Sequence, residues 1–456
     1  MDKQGPDTEE IIAAMNNHDF KKVRQAFRLM DAADISATFK DLDIVQSIVL
    51  FRLVPGRRRP EVFAFLSRDR QEEMLERLPD LVVVSLLNDM EPVDRTRLLE
   101  EMPAELSSRF LQMLSPEERE MATRLLSYPE DSVGRLMSPE FVGLRSGMNV
   151  TDALAYIRWN STVIPESLLL HLFVVNDQHQ FLGHVSLGAL VVADPPSLPV
   201  DEIMDTLQQP LSVYDHESEA VDYFRKYDRP YIPVVDEKQT LVGIVEADDV
   251  FDVAEEDATE DIQQFGGQGA LEESYFETPL ATLLRKRAGW LALVFVAMMA
   301  TANAMEIFKT EIGKWKVLVF FLPLVMSSGG NSGSQAAALM IRGLAVKEVE
   351  LRDWFKVFRR ELLIGLGLGL LLGILGFSRA WFGGQGPMVG LILALTLMGI
   401  VIFGAMAGAM LPFLLKGLRL DPAVSSSPVI AAMVDIVAIF MLFNIAIYLV
   451  SMFGGI

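Results

Sequence analysis

No cysteine occurs anywhere in the chain, so disulfide bridges, thiolate metal sites and cysteine nucleophiles are excluded. Histidine is scarce as well, with five in 456 residues and no His-rich metal motif. No nucleophile–base pairing and no phosphate-binding glycine loop can be picked out, so an enzyme is not expected. Basic residues are outnumbered: 40 Lys and Arg stand against 61 Asp and Glu, a formal net charge of −21. A surface that acidic repels nucleic acid and anionic lipid, and it suits an assembly that collects cations. An apolar leader is also missing. Met1-Asp2-Lys3-Gln4-Gly5-Pro6 opens a polar stretch, and the soluble part is expected to stay in the cytoplasm.

Charge then thins toward the end of the chain. Up to about Pro279 the sequence is acidic and soluble in character; beyond it long apolar runs dominate. Five membrane spans are expected, at 289–307, 317–341, 362–377, 388–415 and 428–453, the first three near the short limit for crossing a bilayer. Arg285, Lys286 and Arg287 precede the first span. Arg342, Lys347, Arg352, Lys356, Arg359 and Arg360 fill the interval between the second and third. By the positive-inside rule the N-terminus is expected in the cytoplasm and the C-terminus outside.

Within the fifth run, Asp435 is the only charge. A carboxylate near the bilayer centre costs at least about 2.5–3.5 kcal/mol, so it usually faces a pore, a partner or a bound ion. A hydrogen bond to a neighbouring helix is the plainer alternative. Asn444, nine residues on, is expected to hydrogen-bond across to another helix. The small and polar run Ser327-Ser328-Gly329-Gly330-Asn331-Ser332-Gly333-Ser334-Gln335 permits close helix contact, or freed carbonyls along a water-filled path. Asp421-Pro422-Ala423-Val424-Ser425-Ser426-Ser427-Pro428 reads as a break before the fifth span.

Two other regions have their own grammar. As far as Tyr128, prolines punctuate short helices; Ser115-Pro116-Glu117-Glu118 is an N-cap, a proline at the first helical position and acids in the first turn. Units of roughly two dozen residues point to a small superhelix. Arg57-Arg58-Arg59 reads as a solvated basic loop. From about 130 to 252 one motif occurs twice. Phe173–Asp177 with Phe181–Val185 answers Pro233–Glu237 with Leu241–Val245; an amphipathic helix precedes each pair, and one glycine sits in each second strand. This pattern resembles a tandem pair of CBS domains, which implies a regulatory module sensing ions or nucleotides. Asp248, Asp249, Asp252, Glu255, Glu256, Asp257, Glu260 and Asp261 then crowd fourteen residues. A hard divalent cation with oxygen ligands would relieve their repulsion; the alternative is a solvated acidic helix.

Gly329-Gly330-Asn331-Ser332-Gly333-Ser334-Gln335 with Ile341-Arg342-Gly343-Leu344-Ala345, and Asp421-Pro422-Ala423 followed by Pro428 and Asp435, resemble the signatures of the MgtE family of magnesium channels. The resemblance covers roughly residues 30–456. It implies a multidomain membrane protein of the bacterial inner membrane: an α-helical superhelical N domain (1–129), an α/β CBS-domain pair (130–200 and 201–253), an acidic connecting helix (254–284) and a transmembrane domain of five helices (285–456). It implies a homodimer whose pore follows the two-fold axis, lined chiefly by spans two and five. Asp435 falls on the family's pore carboxylate for hydrated Mg²⁺, with Gly329, Gly330, Asn331 and Ala431 along the pore. Cytosolic Mg²⁺ would close that pore through Asp228, Asp249, Asp252, Asp257, Glu260 and Asp261. On the N-domain side the chain departs from the family: Pro92-Val93-Asp94-Arg95-Thr96-Arg97 offers Asp94 among two arginines. ATP is a further candidate ligand of the CBS pair. Three readings stay open: a Mg²⁺ channel closed by cytosolic Mg²⁺, a cation-coupled carrier or Co²⁺/Mn²⁺ transporter, and a membrane sensor that transports nothing.

Overall fold

The computed structural model describes residues 8–40, 42–160, 166–271, 275, 278–424 and 427–453. Met1 to Pro6 of the opening stretch, 272–274 and 276–277 of the connecting region, and Ser425 and Ser426 of the expected break lie outside the described residues. The chain forms two compact units, Met1–Ala254 and Glu255–Ile456.

The first unit begins with short helices in a fixed rhythm. Arg68–Arg77, Asp80–Asp89, Pro92–Glu101, Ala104–Met113 and Pro116–Leu126 start every twelve residues, so a pair of helices makes the two-dozen unit. Proline sets the beat. Pro79 and Pro103 are N-caps in extended conformation, while Pro92 and Pro116 occupy the first turn, where a missing N–H costs nothing. The Ser115 hydroxyl accepts from the Glu118 N–H at 3.3 Å, as the sequence predicts. Phe27, Phe39, Phe51 and Phe63, on the short helices and turns before these, are fully buried in the same apolar cluster. Each such ring contributes about 1.5–3 kcal/mol by leaving water. Of the basic triplet, Arg57 is exposed as expected, but Arg58 and Arg59 are not merely solvated. Arg58 donates to the carbonyls of Phe27 and Met30, and Arg59 donates to Val54 at 3.2 Å and Arg52 at 3.0 Å. Both side chains tie off the C-terminal carbonyls of earlier helices, where the helix dipole favours a cation.

The two copies of the repeated motif fold alike. β1 (Val142–Arg145) lies parallel to β2 (His171–Val175), which pairs antiparallel with β3 (Phe181–Ser186). In the second copy β4 (Leu211–Ser212) lies parallel to β5 (Tyr231–Val235), which pairs antiparallel with β6 (Leu241–Glu246). The glycine in each second strand has a steric cause. A Cβ on Gly183 would meet the Asp205 carbonyl at 2.8 Å, and one on Gly243 the Ser138 carbonyl at 2.7 Å. Those carbonyls belong to the segment opening the other copy, so the copies interlock: Ser138 bridges Ile244, and Asp205 bridges His184.

The second unit holds five helices long and apolar enough to cross a bilayer: Leu280–Ile307, Lys316–Ala345, Leu351–Phe382, Gly386–Gly417 and Ser427–Phe453. None is short. The third runs 29 residues as an α-helix from Trp354, against the expected 362–377, so Lys356, Arg359 and Arg360 are helical rather than in a loop. Hydropathy ends where charge begins, but the backbone hydrogen bonds do not. The glycine- and serine-rich run is likewise uninterrupted helix, Leu322–Ala345. Its small residues serve close packing. A Cβ on Gly404 would strike the Gly329 carbonyl oxygen, and one on Gly408 that of Gly333, so the second and fourth spans cross backbone to backbone. Among the described residues Asn444 makes no bond to another helix; its Nδ2 donates to the Phe440 carbonyl one turn back on its own helix, at 2.7 Å.

Candidate cation sites

In the first unit, the helix Pro92–Glu101 and the start of the helix Ala247–Phe265 bring acids together. Glu91 and Asp94 come from the first, Asp248, Asp249 and Asp252 from the second, Glu246 from the end of β6 and Glu140 from the turn before β1. Burial, then the charges of Asp248, Glu246, Asp94 and Glu91, push the Asp249 carboxyl up to about 8. Burial and then Asp248, Glu91 and Glu140 raise Glu246 to about 7. Burial also lifts Asp94, with Arg97 pulling the other way before Asp252 and Asp248 add to the rise. The sequence had offered Asp94, Asp248, Asp249 and Asp252 of this group. Glu91, Glu140 and Glu246 come from three separate elements, and no local pattern announces their convergence. Arginines reach them from the helix Pro92–Glu101: Arg97 Nη1 is 3.3 Å from Asp252 Oδ2, and the Arg95 charge acts on Glu140. Asp228 stands apart, exposed in a left-handed C-cap (φ 49°), with no side-chain hydrogen bond or ion pair among the described residues.

A second group belongs to the second unit. Asp257, Glu260 and Asp261 ride on the last turns of the helix Ala247–Phe265. Burial, then Asp421, Asp257 and Glu260, raise the Asp261 carboxyl to about 6. Asp421 thus joins the predicted acids from the loop before the fifth span. The same loop is touched again just beyond: a Cβ on Gly267 would lie 3.0 Å from the Pro428 ring. The connecting helix therefore ends against the N-terminus of the helix that carries Asp435.

Asp435 is half-buried on that helix and has no hydrogen bond or ion pair among the described residues. Spacings of four place Ser427, Ala431 and Asp435 on one helical face. The second span runs along it: Gly330 faces Ala431, and Ser334 Oγ lies 2.7 Å from Ser427 Oγ. Asn331 is exposed, its Nδ2 donating to Ser327 Oγ at 3.4 Å. A strip of hydroxyl, amide and carboxylate groups in an apolar bundle is chemistry suited to a water-clad cation. Among the described residues no three His, Asp or Glu side chains are pre-set as a direct metal cage.

A cleft of about 470 Å³ in the first CBS copy is lined by Phe141, Gly143, Arg145, Met148, Tyr156 and His179, among others.

Comparison with known proteins places these features in context. Residues 322–445 match the model of a divalent cation transporter family, MgtE; residues 30–131 match the MgtE intracellular N domain and 191–256 a CBS domain. The magnesium transporter MgtE of Thermus thermophilus is 32% identical over 439 residues, 95% of this chain and 96% of that one. The magnesium transporter MgtE of Bacillus subtilis is 30% identical over 429 residues, 91% of this chain and 93% of that one. A crystal structure of the cytosolic domain of the Mg²⁺ channel MgtE in complex with ATP matches with TM-score 0.51 and 29% identity, over 54% of this chain and 99% of that one. The soluble part of a magnesium transporter shares the fold, with TM-score 0.50 at 22% identity, over 55% of this chain and all of that one.

Proposed function

This chain belongs to the MgtE family, and from that premise we propose that it conducts Mg²⁺ through a membrane as a homodimer, past the Asp435 carboxylates of both copies. The observation that carries the reading is Asp435 itself. It is the one charged side chain of the fifth span, half-buried, without a bonded partner among the described residues, on a face shared with Ser427 and Ala431. A hydrated dication would meet two carboxylates across the axis, with Gly329, Gly330, Asn331 and Ala431 beside the path. Binding must be strong enough to admit the ion and weak enough to release it, which water-mediated contact to a few oxygens allows.

Gating follows from the acids outside the bilayer. Crowded carboxylates raised toward neutrality are the natural receptors of a cytosolic divalent ion. Mg²⁺ at Asp257, Glu260 and Asp261 would draw the connecting helix toward Asp421 and fix the loop ahead of the fifth span, closing the path. Asp249, with Asp228, Asp252 and Asp94 at its margins, would add a second Mg²⁺-sensitive point in the soluble unit. The basic residues before the first span and between the second and third put the soluble unit in the cytoplasm. ATP would find aromatic faces in Phe141 and Tyr156 and a phosphate partner in Arg145 in the 470 Å³ cleft.

Mg²⁺ flux into liposomes holding an internal Mg²⁺ indicator tests the core of this reading. Wild type is expected to fill the vesicles when driven by a negative interior potential, and to slow when millimolar Mg²⁺ is present on the cytoplasmic face. Asp435→Ala is expected to lose nearly all flux. Wild-type flux from that variant would refute the pore assignment; flux of Co²⁺ or Mn²⁺ in preference to Mg²⁺, or flux coupled to a proton gradient, would favour a carrier.

A further inference from the structure

We propose that His171 and His184 form a binding site for a borderline transition dication such as Zn²⁺, Co²⁺, Ni²⁺ or Cu²⁺, set in the first CBS copy where it interlocks with the second. The proposal goes beyond the Mg²⁺ reading above and does not depend on it, because imidazole nitrogen suits these ions whereas Mg²⁺ keeps to oxygen and water.

Three of the chain's five histidines have local tasks. His18 and His179 take left-handed turn conformations (φ 60° and 59°), and His216 caps the helix Glu217–Tyr227. The other two face each other. His171 lies on β2 and His184 on β3, and strand pairing sets them diagonally on one face: His171 is opposite Ser186, and His184 opposite Phe173. Their rings stack with an interplanar angle of 21°, and His171 Nδ1 is 3.1 Å from His184 Nε2. Two nitrogens held about 2.0–2.1 Å from one Zn²⁺ lie roughly 2.9–3.4 Å from each other, at right-angled to tetrahedral geometry. The observed separation falls in that range. It also serves a hydrogen bond from one ring to the other; shifting that proton to the ring's far nitrogen turns both facing nitrogens into ligands.

The strand pairing does not require histidine at either place. In the second copy the matching positions on β5 and β6 are Tyr231 and Ile244 in the same register, Tyr231 opposite Glu246 and Ile244 opposite Pro233. Neighbouring rings hold the imidazoles in position. Tyr231 packs its ring 4.7 Å from that of His171, and Phe173 lies 5.7 Å from His184, centroid to centroid. Burial, then the charges of His171 and Arg229, push His184 down to about 4 despite Asp205, so at neutral pH no proton competes for its lone pair. Arg229 is itself bound to Asp205, at 2.8 Å. No third His, Asp or Glu is pre-set against the pair among the described residues, so water completes the coordination. A site with two protein nitrogens and open positions binds reversibly, which suits sensing rather than structure. The main chain of His184 exchanges hydrogen bonds with Asp205, at 3.0 and 2.7 Å, where the copies interlock. A metal here therefore reports to the junction of the two copies. The two histidines stand thirteen residues apart on separate strands, and no sequence motif announces their meeting.

Calorimetric titration of tag-free, full-length protein with Zn²⁺, in millimolar Mg²⁺ as competitor for oxygen ligands, tests the site. The lack of cysteine removes competing thiols. One Zn²⁺ per chain is expected. His171→Tyr and His184→Ile install the residues that the second copy carries, and so keep the strands paired. Each should weaken Zn²⁺ binding by about 10–100-fold or more, since loss even of a group that only supports a ligand costs that much. His179→Asn, in a turn where asparagine accepts a positive φ, should bind as wild type does. Cu²⁺ at one equivalent gives an independent reading: its electron resonance should show two ligand nitrogens in wild type and one in each variant. Should a variant not fold, the other variant and the wild-type Cu²⁺ spectrum carry the test. Wild type that binds no Zn²⁺, Zn²⁺ binding that survives unchanged in either variant, or a wild-type Cu²⁺ spectrum without two nitrogens overturns the proposal. Mg²⁺ flux on the same preparations bears on the pore alone, so either reading can fail while the other stands.

Discussion

The soluble unit crowds its carboxylates, whereas the fifth span isolates one. Around Asp249, acids from four elements converge with the Arg97 guanidinium beside Asp252, and burial with mutual repulsion holds several of them toward their neutral form. Asp435 has no charged neighbour along its own helix. Both arrangements leave a carboxylate unsatisfied, by opposite means. A crowd can be relieved in steps, by a proton, an arginine or a cation, which suits graded regulation. A solitary carboxylate in an apolar bundle has only the passing ion, which suits permeation. Glycine divides the same way. In the soluble unit Gly183 and Gly243 each admit one carbonyl; in the membrane unit Gly329, Gly333, Gly404 and Gly408 together admit a whole helix.

The largest effect expected from breaking that contrast is Gly408→Val. Its Cβ would occupy the place of the Gly333 carbonyl oxygen, and neither backbone can step aside. Overpacking costs about 1–3 kcal/mol where side chains can adjust, and backbone against backbone lies at or beyond the upper end. Detergent-solubilised variant should lose its monodisperse elution and its wild-type melting temperature. Gly313→Ala is the control, since nothing lies within 4 Å of a Cβ there; it should melt as wild type does. An unchanged Gly408→Val would mean that the second and fourth spans do not touch backbone to backbone.

A smaller effect sharpens the crowded side. Asp249 and Glu246 have folded-state values raised to about 8 and about 7, above the ordinary carboxylate range. The folded protein therefore holds protons that the unfolded chain releases. Stability from these groups is present below the unfolded value near 4 and is lost as pH rises through 7 and 8. In chelator, the melting temperature should fall between pH 5 and pH 8. Asp249→Asn should flatten that fall and raise stability at pH 8 by about 1–2 kcal/mol, allowing for solvent screening. Differential scanning fluorimetry across the pH range checks it. A melting temperature that climbs with pH in chelator would show that these acids are satisfied in the folded state.

Much of this was legible before any coordinates. The proline rhythm, the doubled strand motif with its glycines and the uncharged C-terminal runs all record local backbone or burial demands, and such demands leave their mark within a few residues. The ends of the spans were not legible. Lys356, Arg359 and Arg360 read as loop because they are charged, yet the helix runs through them with its polar ends outside the apolar layer. Nor were the roles of Arg58 and Arg59 legible, since their acceptors are carbonyls of other helices, some about thirty residues away in sequence. Glu91, Glu140 and Glu246 were missed for the same reason. Asp421 was quoted as part of a motif without a role; its charge beside Asp261 ties the loop before the fifth span to the connecting helix.

The smallest expected effect concerns Asn444, and it marks where isolation ends. A polar side chain deep in an apolar helix invites assignment to the ion path beside Asp435. Its amide instead donates to the Phe440 carbonyl, which already belongs to the helix ladder, so the bond is local and spans no second element. Replacing it with alanine removes one supplementary hydrogen bond and leaves no buried acceptor orphaned. Substitutions of that kind fall within about 0.5 kcal/mol. Asn444→Ala should keep both the melting temperature and the Mg²⁺ flux of wild type. A selective loss of flux without loss of stability would extend the polar strip nine residues past Asp435, adding an amide station to the proposed path beyond its carboxylate.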